Sequence, residues 1–288
     1  MSSAEGAEGA EGADPQARYV LAVDLGTGGP KTGLVSLDGK IAWSEHARVP
    51  TNHLGAGGAV QDAEQWWQLI TGSVHRALSS GVVEPDHVVA LSCTGQWAST
   101  VPVAEDGAPV GDCVMWMDTR GRRHSRKRFA GPVSGYAPLA IARWVRRTGG
   151  APSLWGADPI GHILYLENDE PETAKRARWY LEPVDYLAMR FTGAARASHA
   201  SMTAAWLTDN RHQERLRYDP SLVKAAGVPG EKLPPLAPTC SVTGVIRPEI
   251  ARELGLPSGV QVVAGAPDLH TAAVGSGASL DYQAHTVI

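Results

Sequence analysis

The segment from Tyr19 to Gly33, YVLAVDLGTGGPKTG, constrains the fold of this chain more than any other. Apolar residues from Tyr19 to Val23 predict a buried strand, and a second apolar run from Gly33 to Leu37 predicts another strand directly after a glycine-rich turn. Glycines adopt backbone conformations that are closed to other residues, so this turn can approach a ligand closely. Asp24, at the end of the first strand, is placed to hold a cation.

Two common nucleotide-binding loops do not fit this turn. The P-loop pattern needs a glycine before Lys31, where Pro30 stands, and it needs a helix afterwards instead of a strand. The dinucleotide-binding pattern lacks its third glycine and also needs a helix. What remains is strand, D-x-G-T-x-x-x-K, strand. Taken alone, such a turn most often just closes a β-hairpin.

Composition excludes several classes of protein. The chain has 288 residues, of which 43% are hydrophobic, enough for the core of one large domain or two. A net charge of -4 argues against a nucleic-acid partner. Three cysteines, an odd and widely spaced set, indicate reduced thiols in a cytoplasmic protein without a metal cluster. No uncharged apolar run of membrane-spanning length occurs, so we expect no membrane partner.

The order of predicted elements indicates an α/β domain over residues 18–278. Residues 1–17 repeat Glu, Gly and Ala, and we expect a disordered tail there. Asp38-Gly39 predicts a hairpin leading into a third strand over residues 41–49, and Asp62 predicts the N-cap of a helix. Three strands joined by tight turns and followed by a helix are how an RNase H-like domain begins.

Two further stretches carry simpler predictions. Residues 120–128, RGRRHSRKR, form a basic run on a predicted helix, which we interpret as a solvated face because no aromatic residues interleave with it. Residues 131–156 contain clustered proline and glycine, and we expect an irregular segment there.

The phrase DLGTGGPK resembles the phosphate-1 loop of the actin-like ATPase superfamily, and most of all that of the FGGY carbohydrate kinases in their xylulokinase branch. Other phrases match the same family: QDAEQWW at residues 61–67, the Gly-Gln pair at residues 95–96, and W-x-D-x-R at residues 116–120. The resemblance implies an RNase H-like domain with a mixed central sheet flanked by helices. It also implies an inserted region in the middle of the chain that shapes the substrate pocket.

The resemblance implies a sugar pocket formed by four residues, which are Gln96, Trp97, Trp116 and Asp118. Amide and carboxylate groups pair with sugar hydroxyls, and an aromatic ring covers the C–H face of a sugar. The alternative for either tryptophan is a plain core position. Xylulokinases carry Met-His where this chain has Trp97-Ala98, so one sugar-binding histidine is absent and the pocket is expected to be narrower and less polar.

A second motif follows the predicted strand at residues 260–264. Its Asp268 lies at the carboxyl end of that strand and at the start of a helix, a common place for active-site carboxylates. An isolated aspartate there is more often an N-cap. The spacing G-x-x-D followed by small residues resembles the FGGY motif whose aspartate is the general base. Leu269 replaces the asparagine that xylulokinases carry after this aspartate, which removes a second substrate hydrogen bond.

The resemblance implies phosphoryl transfer from ATP to a hydroxyl of a ketose, such as xylulose, or of a polyol. Asp268 and Asp24 are the expected catalytic residues. Asp24 would also hold Mg²⁺, directly or through water. Gly26 and Thr27 would bind phosphate through backbone N–H groups, and Lys31 would balance the developing charge.

In this family a second, adenosine-binding domain follows, and residues 279–288 are expected to be the stub that leads to it. The ATP site is therefore expected to be incomplete in this chain. The expected partners are a small sugar or polyol, and either a second copy forming a homodimer or a separate C-terminal half. The competing hypothesis is a sugar-binding fragment without catalysis. A third hypothesis is an actin-like regulator that binds nucleotide without sugar.

Overall fold

The computed structural model describes residues 17–212 and 214–278. The predicted tail, apart from Ala17, and the predicted stub at residues 279–288 lie outside the described residues. Within the described part of the chain, no helix is long and apolar enough to cross a membrane.

The chain alternates strands and helices, with most helices in its second half. The strands are β1 Tyr19–Gly26, β2 Gly29–Ser36, β3 Ile41–His46, β4 Asn52–Leu54, β5 Gly58–Gln61, β6 Val88–Gly95, β7 Val101–Val103, β8 Cys113–Val114, β9 Ala130–Val133, β10 Trp179–Leu181, β11 Ala197–Ser198, β12 Leu236–Ala237, β13 Val242–Val245 and β14 Gln261–Val263. The helices are α1 Ala63–Ser79, α2 Arg122–Phe129, α3 Pro138–Thr148, α4 Pro159–Asp169, α5 Pro171–Arg176, α6 Pro183–Thr192, α7 Pro220–Ala226, α8 Pro248–Leu254 and α9 Asp268–Gly275.

A six-stranded sheet organises the molecule, in the order β13-β14-β6-β1-β2-β3. Strands β14, β6 and β1 run parallel, whereas β2, β3 and β13 pair antiparallel with their neighbours. Helices α1, α6 and α8 pack their apolar residues into the same core as this sheet. The prediction of an α/β domain with a mixed central sheet flanked by helices is thus confirmed.

The middle of the chain has a second hydrophobic core. Phe129 of α2, Trp144 of α3, Ile163 of α4 and Leu222 of α7 are buried together there. The expectation of an irregular segment over residues 131–156 was wrong, because α3 occupies its centre. Pro138 begins this helix, and Gly149 ends it in the left-handed conformation, with φ 81°. Both signals are in the sequence, but the neighbouring glycines and prolines obscure them.

Two glycines bring the ends of the parallel strands into close contact. A Cβ atom on Gly265, after β14, would lie 1.7 Å from the carbonyl oxygen of Cys93 in β6. A Cβ atom on Gly95, at the end of β6, would lie 2.4 Å from the carbonyl oxygen of Leu25 in β1. Only glycine permits this approach. The segments that leave the three strands therefore converge at one edge of the sheet.

Candidate active site

The two predicted catalytic carboxylates lie at this common edge. Asp24 is paired with Thr94 across β1 and β6, and Gly95 forms a parallel bridge to Pro267, the residue before Asp268. The two aspartates are close enough for the charge of Asp24 to raise the pKa of Asp268. The parallel sheet thus brings together residues that are far apart in the sequence.

The glycine-rich turn is held in place from one side. Gly26 pairs with Gly29 at the end of the β1–β2 hairpin, and the N–H of Val49 donates to the carbonyl oxygen of Gly28 at 3.0 Å. Gly29 has φ 128°, and a Cβ atom there would lie 2.1 Å from the carbonyl oxygen of Ala47. The segment after β3 therefore fixes the shape of the turn.

Lys31 lies directly opposite Asp24 in the hairpin register, and its side chain is exposed. Within residues 17–212 and 214–278, neither Lys31 nor Asp24 forms an ion pair with another side chain. Residues opposite each other on an antiparallel pair project to the same face of the sheet. A positive and a negative group therefore stand beside the turn, and both are available to a ligand.

Thr27, in the turn, is bound by three polar side chains. The Nε2 of Gln61, which is fully buried, donates to the carbonyl oxygen of Thr27 at 2.8 Å. The Nε1 of Trp116 donates to the Thr27 hydroxyl at 3.1 Å, and this hydroxyl lies 3.4 Å from Oε1 of Gln96. Thr27 thus joins the predicted phosphate turn to two of the predicted sugar residues.

The predicted sugar residues differ in exposure. Gln96 is buried, and its backbone N–H donates to Leu25 at 2.8 Å. Trp116 has 46% of its surface exposed, so its ring is open to a ligand. Trp97 is partly buried: its Nε1 donates to the carbonyl oxygen of Ser201 at 2.8 Å, and its ring meets His270 edge to face at 5.7 Å. Trp97 therefore connects the middle of the chain with the helix of Asp268.

Asp118 is completely buried, and both of its oxygens already accept hydrogen bonds. Oδ2 accepts the N–H of Ala59 at 2.9 Å and forms an ion pair with Arg120, whose Nη2 lies 2.7 Å away. Oδ1 accepts the backbone N–H of Arg120 at 2.9 Å. These contacts fix the loop that carries Trp116. The sequence motif included Arg120 but did not predict this pairing.

Asp268 is half-buried and is the first residue of α9. Burial, and then the charge of Asp24, raise its pKa, whereas the N–H of Leu269 and the charge of His270 act in the opposite direction. Its Oδ1 accepts the N–H of Leu269 at 2.7 Å, and in the described part of the chain its Oδ2 has no hydrogen-bond partner. One oxygen of this carboxylate is thus held while the other can accept a proton.

Two buried carboxylates behind Trp97 were not predicted as site residues. Oδ1 of Asp185 accepts the N–H of Ser198 at 3.0 Å, and its Oδ2 accepts the hydroxyl of Ser201, the residue that binds Trp97. Oε2 of Glu182 accepts the N–H of Ser99 at 3.2 Å. Burial raises the pKa of Asp185 to about 7 and that of Glu182 well above its usual value. Acidic residues at the N-cap and in the first turn of the otherwise apolar α6 were the available signal.

The same loop contains a strained residue. Ala98, between Trp97 and Ser99, has φ 60°, in the left-handed region that a residue with a side chain rarely adopts. A carboxylate that accepts the adjoining N–H groups, as Glu182 does, holds the backbone in this conformation. Such strain is often found where a protein positions ligand-binding groups.

A metal ion would have to be bound here by few protein ligands. The described residues contain no group of three or more histidine, cysteine, aspartate or glutamate side chains that could hold one. Mg²⁺ in phosphoryl-transfer sites is typically bound by one or two carboxylates, with water and substrate phosphates completing its shell. Asp24, with its unpaired carboxylate at the edge of the sheet, fits that requirement.

Comparisons with known proteins place the chain in a family. The model of the FGGY family of carbohydrate kinases, N-terminal domain, matches residues 19–275. The xylulose kinase of Bacillus subtilis is 24% identical over 263 residues, which cover 90% of this chain and 50% of that protein. A probable L-xylulose kinase of Pasteurella multocida is 25% identical over 261 residues, which cover 90% of this chain and 52% of that protein.

Solved structures show the same fold. The xylulose kinase of Rhodospirillum rubrum superposes with a TM-score of 0.78 at 22% identity, covering 91% of this chain and 51% of that one. The gluconate kinase of Lactobacillus acidophilus superposes with a TM-score of 0.77 at 20% identity, covering 91% of this chain and 50% of that one. The chain spans about half the length of the curated relatives it matches. With the family model matching most of its length, the chain belongs to the FGGY family of carbohydrate kinases.

Proposed function

We propose that this chain carries the carbohydrate-binding part of a kinase that transfers the γ-phosphoryl group of Mg-ATP to a hydroxyl of a ketose, such as xylulose, or of a polyol. The observation that carries the proposal is the convergence of Asp24, the glycine-rich turn and Asp268 at the carboxyl ends of adjacent parallel strands. Family membership supports a carbohydrate as the acceptor.

Asp268 acts as the general base in this proposal. Its free Oδ2 removes the proton from the attacking hydroxyl, while the N–H of Leu269 fixes the carboxylate through Oδ1. A raised pKa makes a carboxylate a stronger base at neutral pH. A positioned base contributes about 10²- to 10⁴-fold to the rate.

Asp24 would hold Mg²⁺, and the turn at Gly26 and Thr27 would bind phosphate oxygens through backbone N–H groups. Bound Mg-ATP supplies the transferred phosphoryl group and neutralises part of its charge. Lys31, opposite Asp24 and without a partner among the described side chains, would balance the charge that develops during transfer.

The carbohydrate would lie against Trp116, whose ring is exposed, with Gln96 and Trp97 completing the pocket. Asp118 serves this pocket by holding the Trp116 loop, because its own oxygens are occupied by Ala59 and Arg120. Glu182 in turn fixes the backbone at Ala98 and Ser99, directly after Trp97.

The test measures sugar binding by calorimetry, and sugar-dependent ATP turnover, over a panel of ketoses, sugar acids and polyols. The variant is Asp268→Asn, and the matched control is Asp86→Asn, an exposed residue just before the opposite end of β6. We expect Asp268→Asn to lower turnover by about 10²-fold or more and to leave sugar affinity within about threefold. Where the unaltered chain shows sugar-dependent turnover, equal turnover by the two variants would contradict the role of Asp268.

A second candidate function is carbohydrate binding without phosphoryl transfer, which the exposed ring of Trp116 beside the buried amide of Gln96 favours. Saturable sugar binding with no turnover by the unaltered chain would support it. Absence of binding across the whole panel would contradict both candidates.

A further inference from the structure

The basic run, interpreted from sequence as a solvated face, lines a cleft. Helix α2 and the loop before it border a space of about 790 Å³, and four arginines line it, which are Arg120, Arg122, Arg123 and Arg126. Asp169 is the only carboxylate among the residues that line it. None of the lining residues belongs to the group at the strand ends described above. A space of this size accommodates a small metabolite.

The N-terminal end of α2 is held rigidly. Three glycines, Gly121, Gly156 and Gly161, pack backbone against backbone where α2 meets the start of α4. A Cβ atom on Gly121 would lie 2.2 Å from the carbonyl oxygen of Gly161, and one on Gly156 would lie 2.4 Å from the backbone nitrogen of Arg122. The arginine-bearing turn therefore cannot move without separating these backbones. Preorganised charges cost little to arrange when a ligand binds.

Not all of this positive charge is neutralised within the protein. Arg120 pairs with Asp118, and Arg123 pairs with Asp169. Arg122 instead stacks on the ring of Trp155, 3.9 Å from its centroid, and it pairs with no carboxylate in the described part of the chain. Arg126 has no side-chain partner among residues 17–212 and 214–278. Two uncompensated guanidinium groups thus border one cleft in a chain whose net charge is -4.

We propose that this cleft binds a phosphate monoester of a small polar metabolite, with Arg122 and Arg126 contacting the phosphate group. Guanidinium groups bind phosphate oxygens through paired N–H donors, which gives both strength and geometric selectivity. The cleft is much larger than a phosphate ion, so it accommodates an organic group as well. This site goes beyond the proposed kinase chemistry and does not depend on it.

The experiment is calorimetric titration of the 288-residue chain with ribose 5-phosphate, with inorganic phosphate, and with ribose, all at matched ionic strength. We expect saturable binding of ribose 5-phosphate, weaker binding of inorganic phosphate and none of ribose at this cleft. Arg126→Gln should weaken ester binding by about tenfold or more, since charge-assisted hydrogen bonds are the strong ones. Asp169→Asn should strengthen it, because Arg123 loses its competing carboxylate.

The matched control is Lys127→Gln, which removes the same charge from the adjacent exposed position of α2 but does not line the cleft. Trp116→Ala, which alters the proposed sugar pocket and does not line the cleft, should leave ester binding unchanged, which separates the two sites. Equal weakening by Lys127→Gln and Arg126→Gln would refute the proposal. So would loss of ester binding in Trp116→Ala, or tighter binding of inorganic phosphate than of the ester. Arg126 is exposed, so its replacement tests binding without endangering the fold.

Discussion

Gly265 connects the packing of the sheet to the position of the proposed base, and replacing it with alanine tests that connection. The added Cβ atom would lie 1.7 Å from the carbonyl oxygen of Cys93, whereas real Cβ atoms essentially never come within 3.0 Å of another heavy atom. The backbone after β14 must therefore move by roughly 1.3 Å. The added Cβ atom is bonded directly to the backbone, and the carbonyl oxygen of Cys93 is part of the backbone, so no side-chain rotation relieves the contact.

We expect Gly265→Ala to lower the free energy of unfolding by about 1–3 kcal/mol, the usual cost of overpacking. For a domain of this size that corresponds to a fall in Tm of roughly 2–6 °C. Asp268 lies three residues further on, and a displacement of about 1 Å at a reacting group can reduce activity on the order of 10²-fold. Thermal unfolding followed by circular dichroism measures the first effect, and sugar-dependent turnover measures the second.

Gly275→Ala is the matched control, because it makes the same change in the helix that Asp268 begins. No heavy atom lies within 4 Å of a Cβ atom built on Gly275, and its φ is not positive. The alanine should be neutral or should stabilise the chain by up to about 1 kcal/mol. If Gly265→Ala and Gly275→Ala unfold within about 0.5 kcal/mol of each other, the packing argument at the strand ends is refuted.

Three further predictions concern other parts of the molecule. Burial raises the pKa of Asp185 to about 7, so its contribution to stability is complete below about pH 4 and is lost as the pH rises toward 7. In Asp185→Asn, the free energy of unfolding from denaturant titrations should fall less between about pH 4 and pH 7 than in the unaltered chain, and an equal fall would contradict this. Only Cys240 is exposed, so a thiol reagent should label one cysteine in the native protein and three in denaturant, since burial also raises the pKa of Cys93 to about 12; rapid native labelling of two or three would show that the core is open. Trp97→Phe should cost about 0.5–1.5 kcal/mol of stability through its lost hydrogen bond, and Trp116→Phe should cost less because that side chain is more exposed; chemical denaturation compares the two, and the reverse order would be inconsistent with the burial of Trp97.

Local sequence signals predicted most elements around the sheet. The hairpin of β1 and β2, the N-cap at Asp62 and the glycine that ends α6 each depend on residues adjacent in the chain. Such signals follow directly from backbone conformation, so a pattern of a few residues is enough to place them. No local pattern places Asp24 and Asp268 in one site, since 244 positions separate them. Their joint assignment as catalytic residues came from the family resemblance.

What the sequence did not show depends on contacts between distant segments. The W-x-D-x-R motif predicted that Asp118 binds sugar, and it gave no sign that Asp118 forms an ion pair with Arg120 of the same motif. The buried Asp185 and Glu182 support the Trp97 loop from another helix, and no local pattern specifies that they face it. Burial of a charged group is decided by tertiary packing, so its cost and its partners cannot be predicted from neighbours in the sequence.

The hydrogen bonds around Thr27 have a thermodynamic consequence. Its hydroxyl is held by Trp116 and lies beside Gln96, while its backbone forms part of the turn proposed to bind phosphate. A carbohydrate that displaces Trp116 would break its hydrogen bond to Thr27 and so loosen the turn. A phosphate group that changes the conformation of the turn would, through the same hydrogen bond, shift the Trp116 side chain. Linkage then requires each ligand to alter the affinity of the other by the same factor. One threonine would thereby make acceptor and phosphate donor heterotropic effectors of each other.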